Sequence, residues 1–586
     1  MNRILPSYVA VAGLVLSCGI VRAQQIDPDA ISLKKGIKIN GGLGLSSIYY
    51  SSNGAATYQP DPFTWFATGN MKINLFGINA PFSFSYSNAH AQYTQPFNRM
   101  RILPKYKWVR LYLGTSSMNF SNYTLAGYTF NGYGIELTPG RFVFKAMYGK
   151  LKEAIPYNFM DTLNNANLSY RRKGMGVSFA YNGKSESYSL NVFKAKDDSS
   201  SLRYVPPQSG LYPQNNLAVS FAVKKALGRK ISFEGEYAVS AYTANLAFKD
   251  DGNTSYPSTV AATLIRPFFK GNNDTRYYDA LSAGIGYNEK NYGLQLRYER
   301  VAPGYVTLGA YYINSDMENI TIAPQVRLLK SRLSLNANVG IQHDNLDKSK
   351  PSTTHRFVGN FNASYAMSSR WIANLGYSNF NTFTRVRPVA DPFFQNGLDS
   401  LNFYQVSQSF TGNLMHSFGP KTHPQNLNLS VTYQLANNHS NTDTADVQLT
   451  KFLTSILSYA YSIPAKGLVL SGAANYYINS SPGIRSVFYG PTLSLGHRVV
   501  PNMTSNWSVT VNRNTINGAA GPGVMTGRWN LNYLPQSSGH STGGRKRLLN
   551  GHHSIGSSLA YTHHDRARTV GAYDEWMWNL TYNYSF

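Results

Sequence analysis

From about residue 36 to the C-terminus, apolar and polar residues alternate with a period of two. Trp576, Trp578, Leu580, Tyr582, Tyr584 and Phe586 fall on one side of the last segment, and Met577, Asn579, Thr581, Asn583 and Ser585 on the other. Leu427, Leu429, Val431, Tyr433 and Leu435 alternate in the same way with Asn428, Ser430, Thr432 and Gln434. Tyr292, Leu294, Leu296 and Tyr298 alternate with Gly293, Gln295, Arg297 and Glu299, and Phe82, Phe84 and Tyr86 with three serines. In a strand this separates an apolar face from a polar one. A soluble sandwich shows the same alternation, so length decides between them. The segments run about 10–17 residues, against about 5–6 for soluble strands, and a tilted strand needs about 9–11 to cross a bilayer. Backbone groups in lipid must all be paired, so spanning strands have to close on themselves. The pattern predicts an all-β chain whose residues 36–586 form a single large transmembrane antiparallel β-barrel.

The connections alternate as well. Short turns such as Gly77-Ile78-Asn79, Pro139-Gly140, Asn182-Gly183, Gly228-Arg229-Lys230 and Lys330-Ser331 are interleaved with long polar stretches near 154–166, 198–214, 245–275, 343–354 and 386–400. Short turns on one side and longer loops on the other are the habit of outer-membrane barrels. Strand counting then meets a parity problem. The direct tally is odd, whereas a single-chain bacterial barrel has an even number, so about 26 strands are expected, or about 24 if one segment is dropped. The fault lies between about 90 and 130, and Met118 to Gly127 is the expected missing strand.

The N-terminus reads differently. Arg3, the apolar run Val9 to Leu16 and the small-residue site Val21-Arg22-Ala23 make residues 1–23 a cleaved signal peptide. An alternative uses Val15-Leu16-Ser17-Cys18 as a lipidation site, with Leu16 fitting poorly. Gln24 to Lys35 would be a short periplasmic segment. It has no room for a plug domain, so the lumen is expected to be open, filled by its own loops, or closed by a partner.

Composition agrees with a barrel. Charged residues make up 14% and aromatics another 14%, with 43 Tyr and a single cysteine, where a soluble domain carries about 25% charge. One cysteine excludes a disulfide framework and a Cys-based metal site. The net charge is +26, from 54 Lys+Arg against 28 Asp+Glu. Arg110, Arg141, Lys145, Arg297 and Arg528 fall on polar strand faces and are the candidate lumen cations, offset by Glu136, Glu234, Glu236 and Glu299. Rings of Arg or Lys favour anions in a pore; the competing reading is that these charges only pair with one another. Other basic runs suit anionic lipopolysaccharide better than nucleic acid in an exported barrel.

The longest loop, 245–275, contains Leu264, Ile265, Arg266, Phe268 and Phe269 within a run too apolar for solvent. It reads either as a lumen constriction or as a hairpin extension above the membrane. Tyr582, Tyr584 and Phe586 form an aromatic C-terminal signal for the barrel-insertion machinery. His552-His553 and His563-His564 cannot share a metal, because on one strand His552 and His564 stand about 40 Å apart. No phosphate loop or nucleophilic triad stands out, and no enzyme activity or cofactor is expected.

Two resemblances add to this. Leu111-Tyr112-Leu113-Gly114 through Tyr123-Thr124-Leu125-Ala126-Gly127 to Gly132-Tyr133-Gly134 resembles porins, in which a Gly-ended strand leads into a loop that folds inward. Pro96-Phe97-Asn98, Pro104-Lys105-Tyr106-Lys107-Trp108, Tyr123 to Gly127 and Ala146-Met147-Tyr148-Gly149 look like Bacteroidetes-type outer-membrane barrels. Together with Tyr298 to Tyr305 and Thr307 to Tyr312, they are similar to segments of the barrel of the type IX secretion translocon and its smaller uncharacterised relatives. The match covers about 95–150 and 295–345, and most of that much longer translocon has no counterpart here. It implies an outer-membrane barrel of this lineage. Two functions are therefore expected to compete: a porin-like channel for small hydrophilic, possibly anionic, solutes, and a barrel that holds or passes a protein partner. A monomer is expected.

Overall fold

The computed structural model describes residues 36–54, 61–88, 99–157, 159, 168–248, 259–350, 353, 355–379, 382–385, 403–437, 449–535, 551–566 and 571–586. The signal peptide, the 24–35 segment, Cys18 and the whole 386–400 loop lie outside the described residues. What is described forms a closed barrel of 26 antiparallel strands with 3% helix. The strands are long: Ile37–Ser52 has 16 residues and Ile484–Val500 has 17. Ile37–Ser52 closes the barrel by pairing with Tyr573–Ser585. At that seam Gly41 and Phe586 exchange backbone hydrogen bonds of 2.8 and 2.9 Å. The seam removes both sheet edges, which is the condition for placing a sheet in lipid.

Alternation sets the two faces. Along Arg171–Asn182, Met175, Val177 and Phe179 are 51%, 44% and 48% exposed, while Arg172 and Ser178 between them are buried. Apolar side chains face out and polar ones face in. A soluble sandwich has the reverse arrangement, because water rewards burial of the apolar face. Only a hydrocarbon surround makes this one favourable.

The parity problem has a different solution from the one the sequence suggests. Met118 is not in a missing strand; it lies near the end of Val109–Asn119, and Ala126–Leu137 follows after a turn at 120–125. The uncounted strand is a broken one, Arg99–Ile102 plus Lys105–Tyr106. Pro104 interrupts it, since proline has no N–H to give to the ladder. The flanking groups keep the sheet continuous: Leu103 N–H donates to the Pro81 carbonyl and Leu111 N–H to the Pro104 carbonyl, both at 2.8 Å. Trp371–Ser378 and Thr382–Arg385 are likewise two pieces of one strand, both paired with Phe403–Phe418.

Candidate functional site

Inside the barrel, two segments leave the wall and meet. The first is the 120–125 turn. Phe120 N–H donates to the Leu125 carbonyl at 2.9 Å, and the Ser121 hydroxyl accepts from Tyr123 N–H at 3.0 Å, which curls the chain tightly. Gly127 follows with φ 70°, a left-handed conformation open to glycine. Curled this way, the turn projects into the lumen. The Tyr123 hydroxyl donates to Glu299 Oε1 at 2.5 Å, and the Ser121 hydroxyl donates to Glu236. Glu236 and Glu299 stand on the inner faces of Ile231–Thr243 and Tyr292–Val301, five and seven strands along the sheet from Ala126–Leu137.

The second segment is the 302–316 connection, which packs between the turn and the inner wall at Asn216 and Ser240. Leu308 N–H donates to Asn216 Oδ1 at 3.0 Å, and the Ser240 hydroxyl donates to the Val306 carbonyl at 2.6 Å. The Tyr305 and Thr307 hydroxyls donate to the carbonyls of Tyr123 and Thr124, both at 2.8 Å. Ala126 N–H reaches the Gly309 carbonyl at 2.9 Å. Position 309 tolerates nothing larger, because a Cβ there would stand 2.5 Å from the Thr124 carbonyl oxygen. Two apolar clusters seal the join. One holds Met118, Leu125, Phe130, Met147, Phe193 and Leu308, and the other Tyr123, Ala238, Ala280, Val301 and Tyr305. Burial, and then the charge of Glu299, pushes the Tyr123 phenol far above its usual range, so it stays a donor.

These contacts make a built constriction over one sector of the lumen. The opposite sector is different. From Ser334 round to Asn479 the inward positions are mainly Asn, Ser and Thr, with Asn336 opposite Asn362, Asn338 opposite Asn360 and Asn374 opposite Asn413. Asn413 Nδ2 donates to Asn428 Oδ1 at 2.7 Å. Among the residues whose side chains are described no charged group points inward on this arc, and Arg356 is set opposite inward-facing Gln342 at its end.

The candidate cations do not form a ring. Arg110 faces in and meets Glu136 at 3.4 Å, and the Tyr112 hydroxyl donates to the same carboxylate at 2.7 Å. Lys145, opposite Glu136 in register, donates to the Asn119 carbonyl at 3.3 Å, where the inward turn begins. Arg297 donates to the Ser282 hydroxyl at 3.1 Å on the neighbouring strand. Arg528 faces in elsewhere, on the same side of its strand as buried Thr526. Arg141 is not on the wall: it sits in the turn before Phe142–Lys152 and donates to the Tyr181 hydroxyl at 3.4 Å.

The sequence-predicted constriction is displaced. Leu264 and Ile265 belong to the helix Val260–Ile265, and Arg266 and Phe268 to a following 3-10 turn ahead of Phe269. Ile265 and Phe269 pack on Leu217, Val239, Ala241 and Tyr277. Those four alternate with the lumen-facing Asn216, Ala238, Ser240 and Tyr278, so they point out of the barrel. The apolar run is satisfied by the outer wall. Leu264 and Phe268 remain 52% and 74% exposed beside it.

At the seam, Tyr582 and Tyr584 lie on the outward face of the last strand, and the Tyr584 and Phe586 rings are 5.4 Å apart. His563 meets Asp574 at 2.7 Å and His564 meets Glu575 at 3.1 Å, while His552 is at the other end of the same strand.

No family model and no curated protein sequence matches the chain. Among solved structures it is similar to OccAB2 of Acinetobacter baumannii, at 9% identity and TM-score 0.27 over 68% of this chain and 97% of that one. It is similar to the outer membrane protein opdK of Pseudomonas aeruginosa at 10% identity and TM-score 0.27, over 69% and 98% of the two chains. The ferric citrate transporter FecA in its unliganded form gives 9% identity and TM-score 0.37 over 93% and 79%. Scores this low carry no part of the functional reading, which rests on the barrel's own geometry.

Proposed function

We propose that this chain is a porin-like channel of a Gram-negative outer membrane, exported on the signal peptide of residues 1–23, and that it passes small hydrophilic solutes. The observation that carries this is the division of the lumen. One sector is narrowed by two loops held with directed hydrogen bonds, and the sector facing it is a wall of neutral amides and hydroxyls. A wall of this kind replaces water's hydrogen bonds without trapping an ion. Inward-facing Lys38 and Lys72 lie on paired strands with asparagines, not carboxylates, opposite them, which favours anions over cations of equal size. No step of chemistry is assigned to the lumen; it is a path rather than a catalyst.

Swelling of proteoliposomes in iso-osmotic solutes tests this. Glucose should enter, and a small organic anion should enter faster than a cation of matched size. Impermeability to glucose would overturn the reading.

One observation favours a second reading. The two segments that resemble the type IX translocon barrel, around Tyr123 and around Tyr305, are those that meet in the lumen. A barrel of that lineage would use the same device to grip or pass a protein partner. Such a protein would fail to conduct alone and would co-purify with a stoichiometric partner.

A further inference from the structure

Above the constriction, on the long-loop side of the 302–316 connection, lies a cavity of ≈ 440 Å³. Its walls include Tyr128, Tyr311, Tyr312, Lys152 and Arg172. This size falls within the range of sites for small organic ligands, about 300–1,000 Å³. The aromatic side is ordered, because the Tyr128 and Tyr311 rings stack at 4.3 Å with 19° between their planes. Tyr311 and Tyr312 line the cavity and are 62% and 55% exposed.

The cationic side is also built. Arg172 is 8% exposed. Its Nε donates to Asp197 at 2.7 Å, and its Nη2 donates to Asp197 at 3.0 Å and to Gln214 at 2.7 Å. That pairing cancels the Arg172 charge and fixes the guanidinium in place, with Nη1 making no hydrogen bond among the described residues. Lys152 is different. It stands opposite Arg172 across the strand pair, and its ammonium has no hydrogen-bond or ion-pair partner among the described residues. The pair of cations with one carboxylate leaves a net positive charge, and Lys152 supplies it.

We propose that this cavity is a binding site for a small carboxylate carried on a flat or ring-shaped body, with the carboxylate on Lys152 and Nη1 of Arg172 and the body against Tyr311 and Tyr312. A lone ammonium beside a fixed guanidinium offers charge-assisted hydrogen bonds to one carboxylate. Tyrosine rings offer apolar faces to an aromatic ring or to the C–H face of a sugar. The sugar acid and the aromatic acid share this chemistry. The site does not require the lumen to conduct, since occupancy is measurable on the isolated barrel.

Titration calorimetry on the full protein in detergent tests it, with glucuronate and benzoate as probes and glucose and benzyl alcohol as their neutral counterparts. At least one acid should bind, more tightly than its neutral counterpart, and the tighter acid identifies the body. Lys152→Gln should weaken that acid by about tenfold or more, and Lys152→Arg should restore it. Absence of heat from both acids in the millimolar range, equal binding of acid and neutral counterpart, or an unchanged affinity in Lys152→Gln would each overturn the assignment. A barrel that binds but never conducts would sink the channel reading and leave this one standing, and the converse holds equally.

Discussion

The Tyr123 hydroxyl donates to the Glu299 carboxylate across 176 positions of sequence, tying the inward turn at 120–125 to the inner wall seven strands along the sheet. The tie holds the turn inside the lumen, so it helps decide how far the constriction projects. Because burial and Glu299 keep the phenol protonated, it acts as a latch over the whole range in which the carboxylate is ionised.

Tyr123→Phe removes that donor and leaves a half-buried carboxylate short of a partner, at a cost of roughly 1–3 kcal/mol. The turn should swing away from Glu299. Single-channel current should rise or become noisier than wild type, and the thermal unfolding midpoint in detergent should drop. A variant with wild-type current and stability would show that the latch holds nothing.

The lipid face gives a second prediction. Val431 points outward and Ser430 inward in the same strand, with Ser430 opposite inward-facing Asn413. A charge near the bilayer midplane on the lipid side costs about 2–4 kcal/mol, whereas a lumen change costs little. Val431→Arg should impair folding into lipid vesicles, and Ser430→Arg should fold normally and change ion selectivity. The opposite outcome would mean that the faces are reversed.

A third prediction concerns the seam. Removing residues 584–586 deletes the hydrogen bonds between Gly41 and Phe586 and two of the outward aromatics. The truncated chain should accumulate in the periplasm or be degraded, as cell fractionation would show. Normal abundance in the outer membrane would contradict the closure of the barrel through Phe586.

The two loops at 302–316 and 344–350 are clamped by charge, and the clamp should depend on pH. Lys350 Nζ lies 2.5 Å from Asp316 and 3.0 Å from Asp344. Burial pushes the Asp316 carboxyl up, but Lys350 and the Leu346 and Asn345 N–H groups together bring it below its usual value. A depressed carboxyl stabilises above its unfolded pKa of about 3.9 and loses that contribution as pH falls through the folded value. Lys350 is raised by the two carboxylates, so its share persists below about 10.4 and is lost only as pH rises beyond that. The contribution is under about 1 kcal/mol, since Lys350 is 47% exposed and screened by solvent. Amide exchange in 302–316 should therefore be slow at pH 7 and faster near pH 3 after correction for intrinsic rates. Lys350→Gln should be fast at both.

Most of the fold was legible because period-two alternation over long segments has few explanations, and the apolar faces around Val431 and Trp576 are where it places them. The strand count was ambiguous for a local reason: Pro104 splits Arg99–Tyr106 into pieces too short to show alternation. The constriction was sought where apolar residues were densest, at 259–269. There Ala261, Ala262 and Ile265 are spaced for one face of a helix, and an outer wall satisfies a helix as well as a lumen does. The segment that does enter the lumen, 302–313, carries hydroxyls and backbone groups that bind other backbone, a pattern with no periodicity to read. Its partner turn was better marked, since Gly127 after it takes the left-handed conformation that an inward turn needs, although the strand before it does not end at Gly114 but runs on to Asn119.

Planar-bilayer conductance of wild type beside two loop deletions tests the central claim most directly. The account predicts steady open-channel current from wild type, a several-fold larger conductance when residues 303–313 are replaced by a short Gly-Ser linker, and no change in conductance when 259–269 is removed from the outer wall. A wild-type barrel and a 303–313 variant that both remain silent, or a conductance that responds to 259–269 and ignores 303–313, would contradict it.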